Sequence, residues 1–250
     1  MFIDAHCHLD FEGLIDRLDE VILNAQKAGL KAIVTSGINP ATNRQALEIV
    51  SRFPNIVKAS FGVYPIGASS RDEKLYDVDA ELQFLSQNKD RFAIVGECGL
   101  DYKTGKDKEL MKDGFSKVLE MAKKLNKTVL IHSRKAELDC IEMCQSHGMK
   151  KVIMHCFCGR KHLVKKAYDL GFNFTIPTTV VKLQQFQEMV AEVDINHLLC
   201  ETDSPFLSPF KDKRNEPAFV VESYKKIAEI KGMDIEEVKN NIWMNFQRLF

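Results

Sequence analysis

Five short motifs in this 250-residue chain hold the side chains best suited to grip a cation: Asp4-Ala-His6-Cys-His8, Val95-Gly-Glu97, Ile131-His132, Met154-His155 and Glu201-Thr-Asp203. Side chains two apart on a strand point to one face, with Cα atoms about 6.6 Å apart. Imidazoles so placed, as at His6 and His8, can converge on one cation at ~2.0–2.1 Å from each nitrogen. Asp4 shares their parity and can orient His6 or, on a plainer reading, cap a turn. Charged groups are rarely buried unless paired or metal-bound, and His6, His8, Glu97, His132, His155 and Asp203 outnumber the three protein ligands of a typical catalytic zinc. The set therefore predicts two divalent ions. Ions ~3.5–4 Å apart can activate water and polarise a phosphoryl or carbonyl oxygen. Glu97 is the expected bridge, and Asp203 is expected to ligate and to take a proton from water.

These residues need elements that bring them to one edge. Short apolar or β-branched runs at Phe2–Ala5, Ala32–Thr35, Ile56–Phe61, Phe92–Val95, Thr128–Ile131, Val152–Met154, Phe172–Ile176 and Leu198–Cys200 read as strands. Longer segments with helical spacing separate them, such as Leu14 to Ala28, closed by Gly29, and a last helix opened by Asp234 with Glu237 as a capping box. A β-α-β-α succession implies parallel strands joined by crossover helices. From His8 to Asp203 the seven steps average about 28 residues, near the ~30 of one βαβ unit. Eight units fit, and no G-x-G-x-x-G follows an early strand, so the fold class expected is α/β, a (β/α)8 TIM barrel, as one domain over residues 1–250. The candidate ligands then fall at the C-terminal ends of the strands, where barrels carry their active sites.

Composition excludes several classes. Hydrophobic residues at 45% and charged residues at 28% are those of a globular domain, not of a disordered or collagenous chain. No apolar run approaches the ~20 residues of a membrane helix, and the start, with two acidic residues and no basic n-region, is unlike a secretory signal. Seven scattered cysteines suit reduced thiols, so a cytoplasmic location is expected. Cys140-x-x-x-Cys144 and Cys156-Phe-Cys158 offer a rival thiolate zinc site, but the paired C-x₂-C spacing of such sites is missing. Cys7, Cys98 and Cys200 read as small buried residues, and His147, His162 and His197 as surface or core residues. With 35 basic and 35 acidic residues, the chain lacks the basic excess of most polyanion binders. Yet the segments Lys103 to Lys112, Arg160 to Lys166 and Lys211 to Arg214 together carry +8, leaving −8 elsewhere. Two divalent ions would add more positive charge than Glu97 and Asp203 remove.

Taken in order, Asp4-Ala-His6-Cys-His8, Val95-Gly-Glu97-Cys-Gly-Leu-Asp101-Tyr102, Ile131-His132-Ser-Arg134, His155-Cys-Phe157, Glu201-Thr-Asp203-Ser-Pro205 and Arg214-Asn215-Glu216-Pro217 resemble the TatD-type deoxyribonucleases, metal-dependent hydrolases of the amidohydrolase kind. The resemblance spans nearly the whole chain. It implies a TIM-barrel hydrolase that uses divalent ions, commonly magnesium, to remove nucleotides from DNA, often as a 3′-to-5′ exonuclease. It also implies His6, His8, Glu97, His132, His155 and Asp203 as ligands, the same positions that the spacing selects. Imidazole-rich ligation would itself favour zinc or manganese over magnesium. DNA is the implied partner, as single strands or 3′ ends, with no membrane and no obligate protein partner.

Two departures bear on substrate. Where the family commonly has Gly-x-His-Pro, this chain has Gly62-Val-Tyr64-Pro65, so a phenol that donates a hydrogen bond replaces a potential base. After His155, Cys158 and Arg160 stand where small hydroxyl residues are common. Arg134 is the expected phosphate fork, or else the partner of a carboxylate such as Glu201. Asp101 and Arg214 join it and Tyr64 as expected substrate contacts, with Lys213 read as solvated. The expected activity is phosphodiester hydrolysis by metal-activated water. The alternative is hydrolysis of a carboxylic ester or amide, such as an aminoacyl ester on RNA, by the same centre.

Overall fold

The computed structural model describes residues 1–68 and 76–250. Along them run β1 (Phe2–Cys7), α1 (Leu18–Lys27), β2 (Leu30–Ser36), α2 (Pro40–Arg52), β3 (Val57–Phe61), α3 (Val78–Gln87), β4 (Ile94–Asp101), α4 (Lys108–Lys124), β5 (Val129–Arg134), α5 (Glu137–Ser146), β6 (Val152–Met154), α6 (Lys161–Asp169), β7 (Asn173–Pro177), α7 (Gln184–Glu192), β8 (Leu198–Glu201), α8 (Val221–Lys231) and α9 (Ile235–Leu249). The strands follow one another through a single sheet in chain order, with parallel pairing. Just past β8, the Asp203 N–H donates to the His6 carbonyl at 3.0 Å, and the His8 N–H donates to the Ser204 carbonyl at 2.8 Å. The last strand thus returns to the first, and the fold is the expected (β/α)8 barrel.

The chain divides into two compact units. The first comprises Met1–Thr35, Ile49–Lys58 and Asn173–Phe250. Leu18, Val21, Ile22 and Ala25 of α1 are buried, a stripe set by helical periodicity, as are Ile3, Ile33, Leu199, Val238 and Ile242. Tyr224 of α8 is wholly buried, yet its hydroxyl accepts from the Ile3 N–H at 3.0 Å and donates to the Ile3 carbonyl at 3.2 Å, which satisfies the polar tip of an otherwise apolar ring. The helix expected from Leu14 is split, with a 3₁₀ turn at Ile15–Arg17 before α1. Asp16 and Arg17 bond back to the Gly13 N–H and carbonyl at 2.8 and 3.1 Å, tightening that turn. Asp234 caps α9, its carboxylate accepting from the Glu236 N–H at 2.8 Å rather than from that of Glu237 as a capping box would have it.

The second unit comprises Ser36–Glu48 and Ala59–Phe172. Here β4 is buried along its whole length, as befits a parallel strand covered on both faces, and Met111, Phe115, Val118, Leu119 and Ala122 of α4 are buried with it. The Asp107 side chain caps α4 by accepting from the Leu110 N–H at 3.0 Å. The strand expected at Phe92–Val95 runs instead through Ile94–Asp101, so Glu97 lies within it and Asp101 closes it. Glycine explains the extension. A Cβ on Gly96 would lie 2.6 Å from Leu130 Cβ, and one on Gly99, at φ +137°, would lie 2.0 Å from the His132 carbonyl oxygen. The two backbones pair closely because these side chains are missing. Likewise β5 extends through His132 to Arg134.

Candidate metal centre

In the first unit His6 is the penultimate residue of β1, buried from Ile3 to Cys7, His8 follows the strand, and Asp203 follows β8. The His6 and His8 rings stand edge to face with centroids 4.8 Å apart. Both present Nε2 to one carboxylate oxygen, Asp203 Oδ1, at 3.3 and 3.5 Å. Ligand atoms from all three lie within 4.8 Å of one another. Two imidazole nitrogens and a carboxylate oxygen so gathered fit a divalent cation of the zinc or manganese type. Asp203 reaches this place from a left-handed backbone, φ +54°, a conformation that Asp and Asn adopt more readily than other non-glycine residues.

The turn that carries Asp203 is anchored by Asp4, whose parity with His6 the spacing noted and whose carboxylate meets backbone N–H groups, and by Asn215. Asp4 Oδ1 accepts from the Thr202 N–H at 2.9 Å and from the His6 N–H at 3.3 Å, so Asp4 ties the two ligand-bearing strands by their backbones. Burial pushes its carboxyl well up, against the hydrogen bonds from Thr202 and His6. Asn215, fully buried, donates to the carbonyls of Thr202 at 2.8 Å and Phe206 at 2.7 Å. It therefore braces the segment on both sides of Asp203. Arg214 beside it is exposed and donates from Nη1 to the Glu12 carbonyl at 2.6 Å.

The second unit holds Glu97, His132 and His155, all buried. Glu97 Oε1 lies 2.7 Å from His132 Nδ1 and 3.7 Å from His155 Nε2. His132 Nε2 faces Asp101 Oδ2 at 3.1 Å and the Tyr64 hydroxyl at 3.1 Å. His132, expected as a ligand, thus has a carboxylate at each ring nitrogen. Burial alone would lower its pKa, but the hydrogen bonds to Asp101 and Glu97 raise it. Burial likewise works to raise the pKa of Asp101, but His132 and the Thr104 N–H hold its carboxyl well below the usual range. Tyr64 is pushed far up by burial and then by the charges of Glu97 and Asp101, so its hydroxyl stays a donor. Arg134, with its side chain 50% exposed, pairs with Asp101 Oδ2 at 3.6 Å. Tyr64, Asp101 and Arg134 are therefore assembled around His132.

One brace here had no signal in the sequence. Asn43 on α2 accepts from the Gly62 N–H at 3.0 Å and donates to the Gly62 carbonyl at 2.9 Å and to Glu81 Oε1 at 2.8 Å. It fixes the turn leading to Tyr64, and a Cβ on Gly62 would lie 2.3 Å from the Glu97 carbonyl oxygen. The rival thiolate site does not form among the described residues: Cys140 donates to the His132 carbonyl at 3.5 Å and Cys158 to that of Cys156 at 3.2 Å, and burial raises the Cys140 and Cys144 thiols. Among the described residues no candidate metal group includes a cysteine. His147 bonds to Ser116 Oγ at 2.9 Å and to the Met143 carbonyl at 2.8 Å, a local structural role.

Comparison with known proteins gives this geometry a family. The model of the TatD related DNase family matches residues 3–250. The human protein named Deoxyribonuclease TATDN3 is 33% identical, covering 99% of this chain and 94% of its own. A Bacillus subtilis protein named as an uncharacterized metal-dependent hydrolase, YabD, is 34% identical, covering 100% and 99%. The crystal structure of YjjV, a TatD homolog from Escherichia coli, superposes with a TM-score of 0.90 at 23% identity, covering 100% of this chain and 97% of that one, and so shares the fold. On the match along residues 3–250 and the likeness to these relatives, the chain belongs to the TatD related DNase family.

Proposed function

We propose that this enzyme is a divalent-metal-dependent deoxyribonuclease that works as a 3′-to-5′ exonuclease on single strands or 3′ ends. In this reading residues 1–250 act as one hydrolase domain, in the cytoplasm, without an obligate protein partner. The observation that carries it is the convergence of His6, His8 and Asp203 within 4.8 Å, in a chain related to a protein named as a deoxyribonuclease. His6, His8 and Asp203 would hold one ion, and Glu97, His132 and His155 a second. Bound there, divalent ions would supply a lowered water pKa and a pull on phosphate-oxygen charge.

The protein's own groups do the rest. Asp203 accepts the proton of the attacking water, and as the bond from phosphorus to the 3′-oxygen breaks, that proton can pass to the leaving oxygen. Arg134, half-exposed and loosely paired with Asp101 at 3.6 Å, supplies a planar fork for the remaining phosphate oxygens. Tyr64, held protonated, donates a hydrogen bond but takes no proton. Of the basic segments, Lys112, Lys165 and Lys166 are paired with Asp139, Asp169 and Glu142, whereas Lys211, Lys213 and Arg214 are exposed in the segment that follows Asp203, where positive charge favours an anionic substrate.

Metal-loaded protein offered end-labelled single-stranded DNA beside a panel of carboxylic esters and amides, an aminoacyl ester of RNA among them, is expected to cleave only the DNA. Products should shorten stepwise from the 3′ end. Turnover confined to the esters or amides would transfer the same centre to the other chemistry and overturn the nuclease reading.

A further inference from the structure

Two aromatic residues stand among the exposed large apolar side chains of the described residues, Phe206 at 45% and Phe210 at 40% exposure. Both lie in the segment that follows Asp203. Phe206 is fastened to it, its N–H donating to the Asp203 carbonyl at 2.9 Å and its own carbonyl accepting from Asn215 at 2.7 Å. Its ring meets Phe11 edge to face at 5.1 Å and lies 6.4 Å from the ring of His8. A phenyl ring left this open gives up part of the ~25 cal/mol per Å² that burial would return. Here the open ring stands directly beside two of the gathered ligands.

Cations interleave with the rings. Lys211, Lys213 and Arg214 are exposed against the single acid Asp212, and Lys213 Nζ lies 5.7 Å from the Phe210 ring. Arg214 is held in place by the same loop that holds Phe206: Nη1 donates to the Glu12 carbonyl, and a Cβ on Gly13, at φ +83°, would lie 2.0 Å from that nitrogen. Phe11 thus meets the Phe206 ring while the next two residues, Glu12 and Gly13, hold the Arg214 guanidinium. Open aromatic faces with nearby cations are how proteins hold unpaired nucleotides: each base has a π-face to stack, and each phosphate seeks a cation. Inside a duplex those faces are already covered by neighbouring base pairs.

We propose that Phe206 and Arg214 form a subsite for the terminal nucleotide of a single DNA strand, its base on the Phe206 ring and a phosphate on Arg214. This rests on the nuclease reading and names two side chains that hold its substrate. With the Phe206 ring 6.4 Å from that of His8, a base stacked there would leave its own phosphate to the ligand side chains and the next phosphate along the strand to Arg214.

The test measures binding of a short 5′-labelled oligodeoxynucleotide, and of the same strand with an abasic 3′ terminus, to manganese-loaded protein in an Asp203→Asn background. Adding Phe206→Ala should weaken binding of the intact strand about tenfold and leave the abasic strand within about twofold. Phe206→Trp should restore binding. Phe206→Leu, which keeps apolar bulk against Phe11 and His8, should fall between. Arg214→Gln should weaken both strands alike and flatten the salt dependence. Equal affinity of the Phe206→Ala protein and its parent for the intact strand, or equal losses on both strands, would overturn the subsite. If the otherwise unaltered enzyme still cleaves DNA in that case, the nuclease reading survives. Base-dependent binding by an enzyme that cleaves DNA with no metal would do the reverse, and absence of both would remove both.

Discussion

Asp203→Asn is expected to abolish nearly all turnover on DNA, by about 10²–10⁴-fold in kcat, the span typical of a general base, while the protein still folds and binds metal. Asn is nearly isosteric, tolerates the φ of +54° found at this position, and keeps a carbonyl oxygen where Asp203 Oδ1 now faces His6 and His8 at 3.3 and 3.5 Å. The backbone bonds that shape the turn are untouched, because Asn215 and the His6 carbonyl bind main-chain atoms. What disappears is the negative charge and the ability to take a proton. Rates on end-labelled single-stranded DNA, with thermal unfolding as a control, check this. Normal turnover would remove Asp203 from the role assigned to it.

Glu97→Gln is expected to act through metal affinity. Glu97 is buried, and its Oε1 lies 2.7 Å from His132 and 3.7 Å from His155. A neutral amide removes the charge that would balance a cation and weakens the bond that orients His132. Losing a group that only supports a ligand costs about 10–100-fold in metal affinity or activity, so losing a carboxylate at the centre should cost at least as much. Manganese titration by calorimetry should show affinity lowered ~100-fold or more, with DNA hydrolysis falling in parallel and recovering in part at high manganese. Unchanged affinity and rate would place the ions elsewhere.

The candidate ligands were legible because their signals are local. His6 and His8 two apart on an apolar run, and Asp203 just past another, declare themselves through residue type and position, and the structure brings those three together. Glu97, His132 and His155 were readable for the same reason, although His132 proved to have a carboxylate at each nitrogen. The length of β4 was not legible. Gly96, Glu97 and Gly99 break its apolar pattern, and only close pairing with β5 makes those glycines an advantage.

The braces were still less visible. Asn43 reaches Gly62 and Glu81, 19 and 38 residues away, and Asp4 reaches Thr202, 198 residues away. A lone Asn or Asp says nothing about such partners before the fold supplies them. Arg134 illustrates the middle case. Its type and parity suggested either a phosphate or a carboxylate, and the structure supplies Asp101 at 3.6 Å while leaving half of the side chain open.

The central claim is that metal ions held by these histidines and carboxylates drive cleavage of DNA. The most direct measurement strips the protein with a chelator, restores magnesium, manganese or zinc singly, and follows a 5′-labelled single strand with time. The account predicts no cleavage by the stripped protein and stepwise shortening once a competent ion returns. Undiminished cleavage after stripping, or none with any of the three ions, would contradict it.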